Sequence, residues 1–228
     1  MKSLFILLLL LFFPVVSFGN PIPVLMYHNV SDTYSGNVSK DLTISISEFR
    51  SHLEFFKAKG YRTTTFKEIL YNREGKLIVL TFDDGKSNHY QVMKMLESYG
   101  MKGVFFIEYA TVGNRSYLKK EQVIEISKKM EVGSHTINHP WLEKWPETTI
   151  RYELCESKKL LEDLTGEKVI SVAYPYGNYD GLVIETAIKC GYLFGRTTNE
   201  WVNWDGNQSL EIPIIYIHRG RLLPKVLR

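Results

Sequence analysis

Two adjacent carboxylates and two histidines four positions apart are the groups in this sequence whose types and spacing suit catalysis. Asp83 and Asp84 follow directly on an apolar run. His135 and His139 have a spacing that places both side chains on one side of a helical turn. One carboxylate and two imidazoles, with positions left open for water, form the ligand set of a catalytic divalent ion. The remaining carboxylate can then act as a general base, so these residues predict metal-assisted hydrolysis.

Each motif has a simpler interpretation when it is taken alone. The Asp-Asp-Gly sequence at 83–85 favours a capped turn that leads into a helix, and the histidine spacing is only moderately specific. The Tyr-Pro-Tyr-Gly turn at 174–177 is equally typical of an ordinary strand exit and of a turn that aims backbone N–H groups into a pocket. His28 ends the first apolar run, where a single histidine is more often structural than catalytic. The combination of these four elements is what favours a catalytic site.

The elements that must position these residues alternate along the chain. Eight apolar, β-prone runs are separated mostly by amphipathic helical stretches, which predicts an α/β fold with a parallel sheet covered by helices. The sheet is either closed as a β/α barrel or open and doubly wound, and in both folds chemistry gathers at the carboxyl ends of the strands. No linker or repeat divides residues 20–228, so one domain is expected. The predicted strands are 23–27, 61–65, 77–82, 103–107, 130–133, 169–174, 192–197 and 212–217.

Several helix ends are also marked in the sequence. Ser47 is predicted to cap a first helix, the longest helix is predicted over 147–164, and Asp180 is predicted to cap a helix that ends at Cys190. The inward-facing residues predicted on the long helix are Tyr152, Cys155, Leu160 and Leu161. The sequence leaves open whether Cys155 and Cys190 form a disulfide, because two cysteines do not make a disulfide framework.

Residues 1–19 are predicted to be a signal peptide. Lys2 precedes an apolar run over 4–13, and small residues follow at 17–19 at the spacing of a cleavage site. Ten apolar residues in a helix cover about 15 Å, half of the hydrocarbon thickness, so we expect no stable membrane span after cleavage. An uncleaved signal anchor is the alternative. The prediction is an exported protein of the periplasm, the cell envelope or the medium.

Composition limits the function classes further. With 228 residues, of which 44% are hydrophobic, the chain can bury one full core. Its 28 basic and 25 acidic residues leave a charge of +3, with no basic run long enough to follow a phosphate backbone. We therefore expect no nucleic-acid partner, and we expect a monomer.

The four elements together resemble the polysaccharide deacetylase family, the NodB-like carbohydrate esterases, over most of the mature chain. The resemblance rests on Thr-Phe-Asp-Asp-Gly at 81–85 and on His-Thr-Ile-Asn-His at 135–139. It implies an irregular (β/α)7–8 barrel in a single catalytic domain over 20–228. It also implies that Asp83 is the catalytic base. The metal ligands implied by the resemblance are Asp84, His135 and His139.

Two features depart from the common family pattern. The third family motif is usually Arg-x-Pro-Tyr, and here Ala173 stands at the arginine position. Another group must then orient Asp83, and Arg196 and Arg219 are the candidates. The first strand, Val-Leu-Met-Tyr-His at 24–28, is similar to a rearranged branch that includes poly-N-acetylglucosamine deacetylases of biofilm matrices. That branch also tends to lack the arginine.

The rearranged branch carries its catalytic acid at the amino end of the domain, which favours His28 as the acid. His218 follows a weak copy of the acid motif of ordinary members and is the second candidate. The resemblance further implies that the backbone N–H of Tyr176 stabilises the oxyanion. Trp141, two residues past His139, is the aromatic residue that we expect near the sugar.

The function implied by the resemblance is metal-dependent removal of N-acetyl groups from an N-acetylglucosamine-containing polysaccharide. The glycan is poly-N-acetylglucosamine-like, or peptidoglycan-like or chitin-like, and an acetylated glycan is the expected partner. Mixed histidine and carboxylate ligands favour zinc or a similar first-row ion. One alternative is an O-acetyl polysaccharide esterase that uses the same residues. The other is a non-catalytic glycan-binding module, which the absent third-motif arginine suggests.

Overall fold

The computed structural model describes residues 21–33, 40–200 and 204–227. The predicted signal peptide and its cleavage site lie outside this part of the chain. Within it, ten parallel-paired strands form one large and one small sheet. The strands are β1 (Val24–Tyr27), β2 (Asn29–Val30), β3 (Thr43–Ile44), β4 (Tyr61–Thr64), β5 (Lys76–Phe82), β6 (Val104–Ile107), β7 (Glu131–Ser134), β8 (Ser171–Ala173), β9 (Phe194–Glu200) and β10 (Ile212–Tyr216).

The large sheet closes into a barrel of seven parallel strands. Its order is β1, β10, β9, β8, β7, β6 and β5, and the ring closes because β1 also pairs with the second half of β5. Strand β4 pairs with the first half of β5 and is not part of the ring. Strands β2 and β3 form the small sheet beside the barrel. The predicted β/α barrel is therefore confirmed, and all eight predicted apolar runs form strands of the large sheet.

Helices cover the outside of the barrel and one of its ends. They are α1 (Ile46–Ala58), α2 (Phe66–Ile69), α3 (His89–Ser98), α4 (Lys120–Lys129), α5 (Glu147–Arg151), α6 (Ser157–Thr165), α7 (Gly181–Lys189) and α8 (Leu223–Val226). A π-helical turn over Tyr152–Glu156 joins α5 to α6. Among the described residues, no helix is both long and apolar enough to cross a bilayer.

Strand alternation separates the core into an interior and an outer layer. Successive strand side chains point to opposite faces, so Val24 and Met26 belong to the interior cluster while Leu25 and Tyr27 pack with the helices. Phe66 of α2 lies in the interior cluster at the amino end of the barrel. The predicted site residues lie at the carboxyl end, where they line an open pocket.

The first helix begins two residues earlier than predicted. The predicted cap, Ser47, lies inside the first turn of α1, and Ser45 is the N-cap instead. The Ser45 hydroxyl accepts a hydrogen bond from the backbone N–H of Glu48 at 3.0 Å, and its backbone is extended. At the other end of the chain, the Asp180 carboxylate caps α7 as predicted, by accepting from the Val183 N–H at 2.9 Å.

The long helix predicted over 147–164 is interrupted by the π-helical turn. A π turn carries more residues than an α turn, so the inward face shifts along the sequence. Tyr152, predicted to face inward, is 55% exposed, whereas Glu153 and Leu154 are buried. Leu160 is only partly buried for the same reason. The structure also answers the open question about the cysteines, because Cys155 of this turn is disulfide-bonded to Cys190.

Candidate active site

Four strands of the ring deliver the predicted residues to one pocket. Asp83 and Asp84 follow β5, His135 follows β7, Tyr176 lies shortly after β8, and His28 follows β1. Because the strands are parallel and the ring is closed, their carboxyl ends meet on one rim. The pocket has a volume of about 250 Å³. Its lining residues are Met26, His28, Leu42, Asp83, Asp84, His135, His139, Tyr174, Tyr176, Arg196 and Thr198.

Asp84, His135 and His139 bring three ligand atoms within 4.8 Å of one another. Asp84 Oδ1 lies 3.5 Å from His135 Nε2 and 3.8 Å from His139 Nε2, and the two Nε2 atoms are 3.1 Å apart. His135 Nδ1 donates to the Ala173 carbonyl at 2.8 Å, which leaves its Nε2 lone pair facing the other two ligands. This donor set fits a first-row divalent ion with open coordination positions.

A left-handed backbone conformation separates the two neighbouring aspartates. Asp84 has a φ of 76°, and a non-glycine residue in this region is uncommon and costs about 1–3 kcal/mol. The turn directs Asp83 into the barrel, where it is 2% exposed, while Asp84 lies on the rim beside the histidines. Lys86 Nζ lies 3.5 Å from Asp84 Oδ2 and partly balances its charge. The two carboxylates therefore serve different partners.

Arg196 takes the place of the missing third-motif arginine. Its Nη2 donates to Asp83 Oδ2, and the guanidinium is 1% exposed. Arg196 on β9 is the direct register partner of Ala173 on β8, so the guanidinium reaches the pocket from the neighbouring strand. Arg219, the other candidate, is exposed and does not line the pocket. The structure thus identifies what orients Asp83.

The environment holds both aspartates ionised. Burial opposes ionisation of Asp83, but nearby positive charge, of which Arg196 contributes most, outweighs it and lowers the pKa of Asp83 below its usual range. Burial likewise opposes ionisation of Asp84. The contact with the His135 imidazole and nearby positive charge, including that of Lys86, outweigh that effect and hold the pKa of Asp84 well below its usual range. A base and a ligand that are charged at neutral pH are what hydrolysis at this site requires.

His28 lies beside Asp83, and His218 does not line the pocket. His28 Nε2 is 3.7 Å from Asp83 Oδ2, and the side chain is 16% exposed. Burial lowers the pKa of His28 more than the Asp83 charge raises it, so the imidazole is neutral at rest. His218 instead contacts the carbonyl of Arg219 and the ring of Tyr216. Of the two candidate acids, only His28 reaches the site.

Tyr176 and Trp141 form an aromatic wall at the mouth of the pocket. Tyr176 has a φ of 57°, and its ring contacts His139 at a centroid distance of 4.5 Å. Trp141 lies 5.5 Å from the Tyr176 ring and is 40% exposed. An exposed aromatic surface next to a polar site suits the apolar face of a sugar.

Glu153 is a charged residue beside the site that the sequence did not predict. Glu153 is 4% exposed, and its carboxylate accepts hydrogen bonds from the loop between His135 and His139. A lone glutamate in an amphipathic helix is typical of a solvated face, and nothing in its spacing marks it as buried. The π-helical turn that turns it inward is not visible in the periodicity.

Comparison with known proteins agrees with the fold and identifies the family. A family model described as polysaccharide deacetylase matches residues 71–195, more than half of the chain. The Bacillus subtilis protein YxkH, named as a polysaccharide deacetylase, is 31% identical over 211 residues, covering 89% of this chain and 72% of that protein. A poly-beta-1,6-N-acetyl-D-glucosamine N-deacetylase of Staphylococcus aureus is 26% identical over 199 residues, covering 78% and 69%.

A solved structure shows the same similarity in three dimensions. The Streptococcus pyogenes deacetylase PplD, in complex with acetate, superposes with a TM-score of 0.79 at 27% identity. The match covers 87% of this chain and 92% of that one. The barrel, the rim motifs and these relatives agree with one another, and the chain belongs to the polysaccharide deacetylase family of hydrolases.

Proposed function

We propose that this protein is a metal-dependent N-deacetylase of an N-acetylglucosamine-containing polysaccharide. The observation that carries the proposal is the pairing of two units in one pocket. One unit is the ligand set of Asp84, His135 and His139, and the other is the buried ion pair of Asp83 with Arg196. The ligand set suits a metal ion that acts as a Lewis acid, and the ion pair holds Asp83 in place as a base. Amide hydrolysis needs both.

Asp84, His135 and His139 would hold the ion, and zinc or a similar first-row metal suits their mixed donors. When bound, such an ion lowers the pKa of water and polarises the acetyl carbonyl. The His135 ring is fixed for this role by its hydrogen bond to the Ala173 carbonyl. The left-handed backbone at Asp84 places its carboxylate beside the two histidines.

Asp83 takes the proton of the attacking water. Its buried Oδ1 has no hydrogen-bond partner among the described residues, so one carboxylate oxygen is available to a substrate water while Arg196 holds the other. His28, neutral at rest and 3.7 Å from Asp83, then takes the proton that Asp83 received from the water and delivers it to the departing amine. An amine that leaves protonated completes the cleavage of the C–N bond, with the acetyl group released as acetate.

Tyr176 and Trp141 bind and orient the substrate. The backbone N–H of Tyr176 is our proposed donor to the oxyanion, consistent with the left-handed turn that carries this residue beside His139. The exposed Trp141 ring lies against Tyr176 and offers a face on which a sugar ring can stack.

We base the proposed substrate class on the names of two relatives and on the missing third-motif arginine. A relative at 26% identity is named for poly-beta-1,6-N-acetyl-D-glucosamine, and another, at 30% identity over 135 residues, for peptidoglycan N-acetylglucosamine. The chain spans 62% of the length of the second protein. We infer that the acetamido sugar is common to both and that β-1,6 linkage is the preferred one. His28 on the first strand and the loss of the third-motif arginine support this preference.

Acetate release from β-1,6 and β-1,4 N-acetylglucosamine oligomers, with and without chelator, tests the proposal. We expect release from the β-1,6 oligomers, loss of release with chelator, and recovery on addition of zinc. An O-acetylated xylan included in the panel tests the esterase alternative. Glycan binding without release of acetate from any substrate would contradict the proposal and favour a binding module.

We also propose that the protein acts outside the cytoplasm as a monomer. The apolar run near the amino terminus supports export. The disulfide between Cys155 and Cys190 suits an oxidising compartment. Fractionation of cells that produce the full chain, followed by sizing of the exported product, tests both statements.

A further inference from the structure

We propose that Glu153 is a positioning residue that fixes the loop carrying the two histidine ligands, and that its removal weakens metal binding without removing a ligand. The inference rests on the proposed metal site. It concerns a residue that touches neither the ligand atoms nor the pocket lining. The consequence is a metal affinity that depends on a helix outside the site.

The loop between the two ligands is held by the Glu153 carboxylate. Oε2 accepts hydrogen bonds from the backbone N–H groups of Ile137 and Asn138, both at 2.9 Å. Oε1 accepts from Asn138 Nδ2 at 2.7 Å. All three donors lie between His135 and His139 in the sequence. A buried carboxylate with three charge-assisted bonds to one loop fixes both its position and its orientation.

The loop needs such a support because its backbone is strained. Thr136 has a φ of 65° and His139 a φ of 55°, and each is a non-glycine residue in the left-handed region. The Thr136 hydroxyl accepts from the His139 N–H at 3.0 Å, which ties the strained residues to each other. Hydrogen bonds from the Tyr109 and Ala110 N–H groups to the carbonyls of Thr136 and Ile137 connect the loop to the segment after β6, and none of these bonds reaches the helix that covers it. Conformations of this kind persist only when the surroundings over-determine them. Glu153 supplies a connection to the covering helix.

The π-helical turn and the disulfide hold Glu153 in place. Leu154, the next residue, offers its carbonyl to the Tyr192 hydroxyl at 2.8 Å and to the Ser157 hydroxyl at 3.0 Å. Ser157 Oγ lies 2.8 Å from Ser134 Oγ, directly before the first histidine ligand. Cys155 links the same turn covalently to Cys190. The turn thus contacts the histidine loop through Glu153, and Ser157 at the start of α6 contacts the end of β7 beside it. The disulfide anchors the turn to Cys190, the residue that follows α7.

Titration of the metal-free full chain with Co²⁺, followed by visible absorption, tests the proposal without recourse to activity. The variants are Glu153→Leu, which removes all three acceptors, and Glu153→Gln, which keeps one oxygen for the two backbone N–H groups. Loss of a partner that orients metal ligands costs about 10- to 100-fold in affinity. We expect that loss in Glu153→Leu with an altered Co²⁺ spectrum, and a smaller, several-fold loss in Glu153→Gln.

Two controls separate this outcome from others. Leu53→Ala removes a fully buried side chain of α1, far along the chain from the loop, and should destabilise the fold while Co²⁺ affinity stays within twofold of the wild type. His135→Ala should bind no Co²⁺. Wild-type protein that binds no Co²⁺ would mean failure of the proposed metal site itself.

A wild-type Co²⁺ affinity and spectrum in Glu153→Leu would overturn the proposal while leaving the metal site intact. If Glu153→Leu does not fold, Glu153→Gln decides. A several-fold weaker affinity in that variant supports the positioning role, and unchanged affinity overturns it.

Discussion

The amino and carboxyl ends of the barrel differ in whether their buried polar groups have hydrogen-bond partners. At the amino end, Phe66 stacks on Phe194 at 5.2 Å and meets Trp204 at 5.6 Å. The buried Glu131 there is fully bonded, since one oxygen accepts from the Lys67 N–H at 2.8 Å and the other from the Ser171 hydroxyl at 2.7 Å. Burial raises the pKa of Glu131, but its hydrogen bonds oppose that effect.

At the carboxyl end, buried polar atoms are left without partners. Among the described residues these include Asp83 Oδ1, Arg196 Nε, His28 Nδ1 and the Tyr174 hydroxyl, and all four residues line the pocket. An unsatisfied buried group costs about 1–3 kcal/mol, so these groups lower the stability of the fold relative to groups with hydrogen-bond partners. The amino end of the barrel therefore contributes stability, while the carboxyl end keeps polar atoms available for hydrogen bonds to water and substrate.

The largest expected effect is the loss of rate at the carboxyl end when Asp83 is replaced. Asp83→Asn removes the proposed base without removing a ligand, so kcat for deacetylation should fall by about 10²- to 10⁴-fold while bound metal is retained. Steady-state kinetics and metal analysis of the purified variant measure both. Full activity would remove Asp83 from the mechanism.

Next in size is the loss of stability when Arg196 is replaced by methionine. Arg196→Met leaves the Asp83 carboxylate buried without its cation, which costs about 3–5 kcal/mol. Urea unfolding measures the change in free energy, and the double variant with Asp83→Asn should recover part of it because the unpaired charge is gone. A loss below about 1 kcal/mol in the single variant would show that the ion pair is not what stabilises this carboxylate.

A smaller effect is expected at the amino end, where Glu131→Leu should change stability but not rate. The Lys67 N–H and the Ser171 hydroxyl lose their acceptors, at a cost of about 1–3 kcal/mol in unfolding free energy. The kcat value at a temperature where the variant is folded should match the wild type. A change in kcat of tenfold or more, about 1.4 kcal/mol in the activation barrier, would contradict the claim that the amino end contributes to stability but not to rate.

The smallest expected effect is a change in unfolding free energy when Tyr174, at the carboxyl end, is replaced by phenylalanine. Tyr174→Phe removes a buried hydroxyl that has no partner among the described residues, so the unfolding free energy of the metal-free protein should stay the same or rise by at most about 1 kcal/mol. Urea unfolding measures it. A destabilisation of similar size would mean that the hydroxyl contributes to the fold.

Much of this architecture was predictable because strand burial and strand ends leave clear traces in sequence. All eight apolar runs form strands, and the carboxylates and histidines follow β5 and β7 as expected. Arg196 was only one of two candidates for orienting Asp83. Its position beside Ala173 depends on the register between β8 and β9, which a single sequence does not reveal. Ser45 and Ser47 are equally good caps by type, and the structure decides between them. Glu153 was missed because the π-helical turn leaves no periodic signal.

Metal analysis of the purified full chain tests the central claim most directly, because the claim is that Asp84, His135 and His139 share one ion. We expect one first-row divalent ion per chain in the wild type and in Asp83→Asn, and none in His135→Ala. A full complement of metal in His135→Ala, or none in the wild type after reconstitution with zinc, would contradict the account.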